Sequence, residues 1–186
     1  MSLFIGFFPN EELTKRITEI SEEVKKIFTG FNIKVRWSNP KTYHMTLLFL
    51  GEKISLPKLL YYKLKLKNYS FSKFEVKFNS IKLGISRKYR ELIYIDLLEG
   101  GDEMRKLYLE LKDLLNFKDD INFIPHLTLG RVNKDLSPQE YSNIVKDLSI
   151  VSRQVKIKGI TLQVNRVDLV RSENGDYTID FTLDSN

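Results

Sequence analysis

The feature that most constrains this chain is a short pattern that occurs twice. Tyr43-His44-Met45-Thr46-Leu47-Leu48-Phe49-Leu50-Gly51 returns in shortened form as Pro125-His126-Leu127-Thr128-Leu129-Gly130. The 186 residues hold only two histidines, and each opens a His-apolar-Thr-Leu frame. With 9 threonines in the chain, Thr two places after both histidines is roughly a one in four hundred coincidence. Apolar residues alternate with His and Thr in both copies, the period of a strand with two different faces. His44 and Thr46 then share one face and Met45, Leu47 and Phe49 the other, while His126 pairs in the same way with Thr128. Two such strands facing one another enclose a small polar cleft.

The copies lie 82 positions apart (126 − 44), close to half the chain, and each follows a long amphipathic segment. A duplicated α/β unit, each copy giving one His strand to a shared cleft, accounts for both facts. The surrounding pattern predicts a strand over Ser2 to Phe8, then a helix capped by Asn10 with Leu13, Ile17, Ile20, Val24 and Ile27 as its apolar stripe. Lys34 to Trp37 is a short strand, residues 56–68 are helical, Phe71 to Leu83 makes one or two strands and Glu91 to Leu97 another. Gly100-Gly101-Asp102 opens a second long helix carrying Met104, Leu107, Leu111, Leu114 and Leu115. Ser137-Pro138-Gln139-Glu140 is a capping box for a helix reaching about Leu148. Residues 151–183 read as strands around a turn at Asn174-Gly175. The fold class is α+β, and the length suits one domain over 1–186 with two pseudo-symmetric lobes.

Composition narrows the chemistry. There is no cysteine, which removes thiol nucleophiles, Cys-ligated zinc and disulfides. Neither histidine has a carboxylate or second His at metal-ligand spacing, so no metal and no cofactor are expected. Gly-x-Ser-x-Gly and phosphate-binding-loop signatures are missing. Asp119-Asp120 and Asp102-Glu103 read as solvated loop and helix-start acids. The apolar run Leu3 to Phe8 is too short for a membrane span, so a soluble cytoplasmic protein, without membrane association and monomeric, is the plain expectation.

Charge points to a polyanion. The net charge is +6, yet residues 53–90 hold eleven Lys/Arg and one acid, giving +10 there and −4 elsewhere. Such a basic face would steer RNA and hold its phosphates; the alternative is a solvated lysine-rich surface. Arg87-Lys88-Tyr89-Arg90 is its densest part, where phosphate contact and base stacking can mix. Two imidazoles on opposite walls of a cleft suit in-line displacement at phosphorus, one removing the nucleophile's proton and the other protonating the leaving oxygen. The threonine hydroxyls can donate to the non-bridging oxygens. Pattern alone does not say which histidine does which.

Val35-Arg36-Trp37, the Tyr43 to Glu52 stretch and Pro125 to Arg131 together resemble the two-histidine (2H) phosphoesterase superfamily, and within it the RNA 2′,3′-cyclic phosphodiesterases, also called the 2′-5′ RNA ligase family. Leu169-Val170-Arg171-Ser172 followed by Gly175-Asp176-Tyr177 is similar to that family's C-terminal hairpin. The resemblance implies a LigT-like bilobal fold with antiparallel sheets around a central cleft. It further implies hydrolysis of an RNA-terminal 2′,3′-cyclic phosphate to a 2′-phosphomonoester without metal or ATP, with 2′-5′ ligation as the reverse chemistry. A nucleotide- or RNA-binding module using the same cleft without turnover is the alternative. Carried over, His44 would be the acid on the leaving 3′-oxygen and His126 the base on water. Thr46, Thr128 and Arg131 would hold the phosphate. Strict alternation turns Arg131 away from His126: either a bulge at Gly130 resets the parity, or Arg131 acts from beyond the strand end, or it is no ligand. Leu48 stands where relatives often carry a basic residue. Whether tRNA fragments, messenger ends or small cyclic nucleotides are the substrate stays open.

Overall fold

A computed structural model describes residues 2–84, 91–118, 122–133 and 135–186. Arg87, Lys88, Tyr89 and Arg90, and the acids Asp119 and Asp120, lie outside the described residues.

The chain is α+β with two antiparallel sheets. Strand β1 (Ser2–Phe7) leads to helix α1 (Glu11–Gly30), short strand β2 (Val35–Trp37), a single 3-10 turn at Pro40–Thr42, and β3 (Met45–Glu52). Helix α2 (Leu56–Lys67), β4 (Phe74–Leu83), β5 (Leu92–Glu99), α3 (Gly101–Leu114) and β6 (Leu127–Val132) follow. Helix α4 (Pro138–Gln154), β7 (Thr161–Val164), β8 (Arg166–Glu173) and β9 (Asp176–Asp184) complete it. One sheet has the order β3-β1-β8-β9, the other β2-β6-β5-β4-β7. In each, the strand that carries a His-x-Thr motif pairs antiparallel with the strand just before a long helix: β3 with β1, β6 with β5.

Local chemistry sets these elements. Asn10 accepts a hydrogen bond from the Leu13 amide at 2.8 Å, and Glu11 and Glu12 meet the positive end of α1. The helix buries Leu13, Ile17, Ile20, Val24 and Phe28, so Phe28 rather than Ile27 closes the stripe. At α4 both capping-box bonds form, from the Glu140 amide to Ser137 and back from the Ser137 amide to Glu140. Asn174 and Gly175 take positive φ, 52° and 92°, as a tight hairpin turn requires. Gly100 starts α3 at φ 83°, and a side chain there would run into the Glu75 carbonyl.

The core lies between sheets and helices. Leu3, Ile5 and Phe7 of β1, Met45 and Leu47 of β3, Ile93 and Ile95 of β5, and Leu127 and Leu129 of β6 belong to one buried cluster. Against it α4 packs on β4, α1 on α4, and α3 on both β3 and β5. The alternate positions, Phe4, Gly6, Leu92 and Tyr94 among them, turn to the opposite faces, where the histidines are. No described helix is long and apolar enough to cross a membrane.

Helix α4 runs to Gln154, about two turns past the predicted stop at Leu148. The reason is a buried hydroxyl. Ser152 donates to the Leu148 carbonyl at 2.7 Å and accepts from the Ile81 amide at 2.9 Å, which stitches the helix to β4. Ser152→Ala strands that buried amide and is expected to cost about 1–3 kcal/mol. Urea denaturation measures it; a loss below a few tenths would mean water replaces the hydroxyl.

Candidate active site

Each histidine sits one residue ahead of its strand, His44 before β3 and His126 before β6. Both are fixed by the same bond. The Nδ1 of His44 lies 2.8 Å from the Thr42 carbonyl oxygen, and the Nδ1 of His126 2.7 Å from that of Ile124. A carbonyl only accepts, so Nδ1 carries the proton in both rings and donates it. Nε2 is left as the basic nitrogen of each neutral imidazole.

Aromatic rings hold the imidazoles in place. Around His44 are Phe4 at 4.7 Å between ring centroids, Tyr177 edge-on at 5.4 Å and Phe8 at 6.1 Å. Tyr94 stands edge-on to His126 at 5.7 Å. Burial disfavours the imidazolium, so both pKa values fall below their ordinary 6.5, against the opposing pull of the backbone carbonyls. The charges of Arg131 and of His44 itself lower His126 further. The two histidines are therefore within electrostatic reach of one another, although they rise from different sheets.

Strand register decides which other residues join them. Thr46 lies opposite Gly6, and Ile5 lies opposite Leu48, so Leu47 is an extra residue in β3. Beyond that bulge the parity reverses: Leu48 faces the core with Ile5, and Phe49 returns to the face of Thr46. Unbroken alternation would have put Phe49 in the core; instead its ring is 46% exposed. Leu48 is 1% exposed, so it offers no contact to a phosphate.

The second motif repeats the device. Thr128 lies opposite Tyr94 and Gly130 opposite Ile93, which makes Leu129 the extra residue of β6. Arg131 then pairs with Leu92, on the same face as Tyr94 and Thr128. The reset occurs one residue before Gly130, and it brings Arg131 to the side of His126. Gly130 itself takes the inward position, where a Cβ would sit 3.0 Å from the Trp37 ring. Arg131 also pairs with Glu91 at 2.9 Å.

The threonine hydroxyls are unengaged. Thr46 and Thr128 are half-buried on the histidine faces and make no hydrogen bond with any described residue through their side chains. They are free to donate to an anion. Beside His126, a cleft of about 620 Å³ opens among Lys82, Tyr94, Asp96, Arg105, Ile124 and Pro125. Its cations are already balanced, Lys82 by Asp96 at 2.8 Å and Arg105 by Asp102 at 2.7 Å. No group of three or more potential metal ligands occurs among the described residues.

Phe4, Phe8, Phe49, Tyr94 and Tyr177 are site neighbours that sequence reasoning missed. For Phe49 a signal existed: His-x-Thr-x-x-Phe matches His-x-Thr-x-x-Arg position for position. Tyr94 and Tyr177 come from strands far along the chain, and only pairing reveals them.

The comparisons fit this geometry. A family model described as the 2′-5′ RNA ligase superfamily matches residues 2–176. The RNA 2′,3′-cyclic phosphodiesterase of Thermotoga maritima is 30% identical over 165 residues, covering 84% of this chain and 82% of that protein. The protein of the same name from Aquifex aeolicus is 30% identical over 139 residues, covering 69% of each. Among solved structures, E. coli LigT complexed with 3′-AMP superposes with a TM-score of 0.66 at 16% identity, covering 99% of this chain and 97% of that one. A Thermus thermophilus structure gives 0.64 at 21% identity with the same coverage. These two share the fold.

Followed by NMR, both imidazoles are expected to titrate below 6.5, and His44→Gln to move the His126 midpoint upward by removing a neighbouring positive charge. Since the folded pKa values lie below the unfolded ones, the unfolded chain binds more protons. The stability the two rings contribute is therefore complete above about 6.5 and is lost as pH falls through the folded values. An unmoved His126 midpoint in His44→Gln would show that the rings do not sense each other.

Proposed function

The chain belongs to the 2′-5′ RNA ligase superfamily, and from that premise we propose that it hydrolyses an RNA-terminal 2′,3′-cyclic phosphodiester to a 2′-phosphomonoester. The observation that carries the reading is the matched pair of histidines, each locked through Nδ1 and each left with Nε2 for proton transfer. Relatives at 30% identity over most of this chain's length, named RNA 2′,3′-cyclic phosphodiesterase, support it.

The residues divide the work as follows. A water oxygen attacks phosphorus while neutral His126 takes its proton at Nε2. The bond from phosphorus to O3′ breaks on the opposite side, and protonated His44 delivers its Nε2 proton to that oxygen. Thr46 and Thr128 donate to the non-bridging oxygens, and Arg131 adds a charge-assisted contact as negative charge builds there. The assignment of acid to His44 and base to His126 follows the family resemblance. Phe49 offers its exposed ring to the terminal base. Each proton has its carrier, so the scheme asks for no metal and no nucleotide cofactor. An RNA 5′-hydroxyl in place of water would close a 2′-5′ bond through the same two histidines. In the cell the reading is of a cytoplasmic monomer acting on RNA ends.

The test uses the whole protein in excess chelator without ATP. A short RNA ending in a 2′,3′-cyclic phosphate is expected to yield a 2′-phosphate end, and His44→Ala or His126→Ala to slow this by about 10²–10⁴-fold each while RNA binding persists. A 3′-phosphate product would reverse the substrate orientation. Binding without turnover in the unsubstituted protein would leave a cleft that recognises RNA but does not cut.

Because catalysis needs one ring protonated and the other neutral, kcat/KM should follow a bell whose maximum lies below about 6.5, the direction of both shifts. The limb set by His126 is expected to move upward when Arg131→Gln removes a neighbouring charge. A maximum well above neutrality would place the working acid or base elsewhere.

A further inference from the structure

We propose that Arg36 is a second anion subsite, one that holds the phosphodiester on the 5′ side of the terminal nucleotide and so favours an RNA chain over a mononucleotide. The inference rests on the cyclic-phosphodiesterase reading and adds to it a substrate class.

The register places Arg36 directly across from Arg131 in the β2–β6 pair. Directly opposed residues of an antiparallel pair share a face, with Cα atoms about 4.5–5.5 Å apart. The bulge at Leu129 has already brought Arg131 to the side of Thr128 and His126, so Arg36 projects from that same side, one strand further out. β2 is the edge of its sheet, and the chain runs from it through the Pro40–Thr42 turn straight into His44. Arg36 therefore stands where the chain leaves one histidine's sheet for the other.

Its electrostatics are unbalanced. Like charges directly opposite one another across a strand pair are destabilising. Arg131 is compensated by Glu91 at 2.9 Å. Arg36 is exposed and has no hydrogen bond, ion pair or ring contact with any described residue. Two guanidinium groups held side by side, only one of them neutralised, make a place for a second negative charge next to the first. In RNA that charge is the neighbouring phosphate of the same strand. A mononucleotide 2′,3′-cyclic phosphate has nothing to offer there.

The measurement compares two substrates in the full-length protein: a nucleoside 2′,3′-cyclic phosphate, and a short oligoribonucleotide ending in the same cyclic nucleotide. In the unsubstituted protein the oligonucleotide is the better substrate by kcat/KM. Arg36→Gln is expected to lower that preference about tenfold, mainly through KM, with Arg36→Lys restoring part of it as a point charge can. The salt dependence of oligonucleotide KM should weaken by about 0.7 in log–log slope, one phosphate contact on a single strand. An unchanged preference in Arg36→Gln, or an equal loss on both substrates, overturns the subsite and leaves Arg36 a solvated edge-strand cation. Turnover of neither substrate by the unsubstituted protein overturns the cyclic-phosphodiesterase reading, and the subsite with it. Thermal melting of both variants separates either result from misfolding.

Discussion

A regular strand has period two, so residues 0, 2 and 5 of one strand cannot all face the same way. Both motifs of this chain need just that set. His, Thr and then Phe49 or Arg131 turn to one face, while the residues between them turn to the core. One extra residue inside each motif, Leu47 in β3 and Leu129 in β6, resolves the conflict. Both leucines stay buried, at 1% and 0% exposure, so the parity change costs the core no apolar contact. Without it, Arg131 would be driven into the interior as an unpaired charge and Phe49 would leave the cleft.

That geometry sets the electrostatics. Packing the histidine side with Phe4, Phe8, Tyr94 and Tyr177 dehydrates the imidazoles and makes them reluctant to ionise. Arg131 adds to this at His126. On the proposed reading one ring carries a proton, and the negative charge of a substrate phosphate beside it would favour that charged form, against the lowering by burial. Locking Nδ1 to a backbone carbonyl meanwhile removes the wrong tautomer, so the proton moves at Nε2 only. Orientation and proton affinity come from separate contacts, and a change in one need not disturb the other.

Much of this was legible in the residues themselves, because the signals are local. Asn10 before two glutamates, the Ser137 to Glu140 box, the Asn174-Gly175 turn and the His-x-Thr repeat each name their structure without help from afar. What escaped depends on partners distant in sequence. Leu47 and Leu129 are ordinary apolar residues, and nothing in them announces a bulge; only the facing strands β1 and β5 fix it. Ser152 reads as a polar residue beyond a helix end until Ile81 is seen to need its oxygen. Tyr94 and Tyr177 look like plain strand aromatics until pairing sets them edge-on to the histidines.

The order of the elements is the ground for proposing one domain of two related lobes. In each half a strand, a long helix and a returning His strand follow in order, and the returning strand pairs with the first. Bond for bond the two histidines are equivalent, so the symmetric part of the site cannot orient a substrate. Asymmetry enters through the rings packed on each histidine and at the fifth position after it. One lobe puts an exposed aromatic ring there and the other a guanidinium. A nucleotide end is itself asymmetric, with a flat apolar base at one side and a phosphate at the other. On the proposed reading the base lies toward Phe49 and the phosphate oxygens toward Arg131, in keeping with the acid and base roles that the family resemblance assigns. On that reading, then, duplication supplies two proton carriers held by the same backbone bond, and the residues that differ around them give the site the asymmetry that a nucleotide end requires.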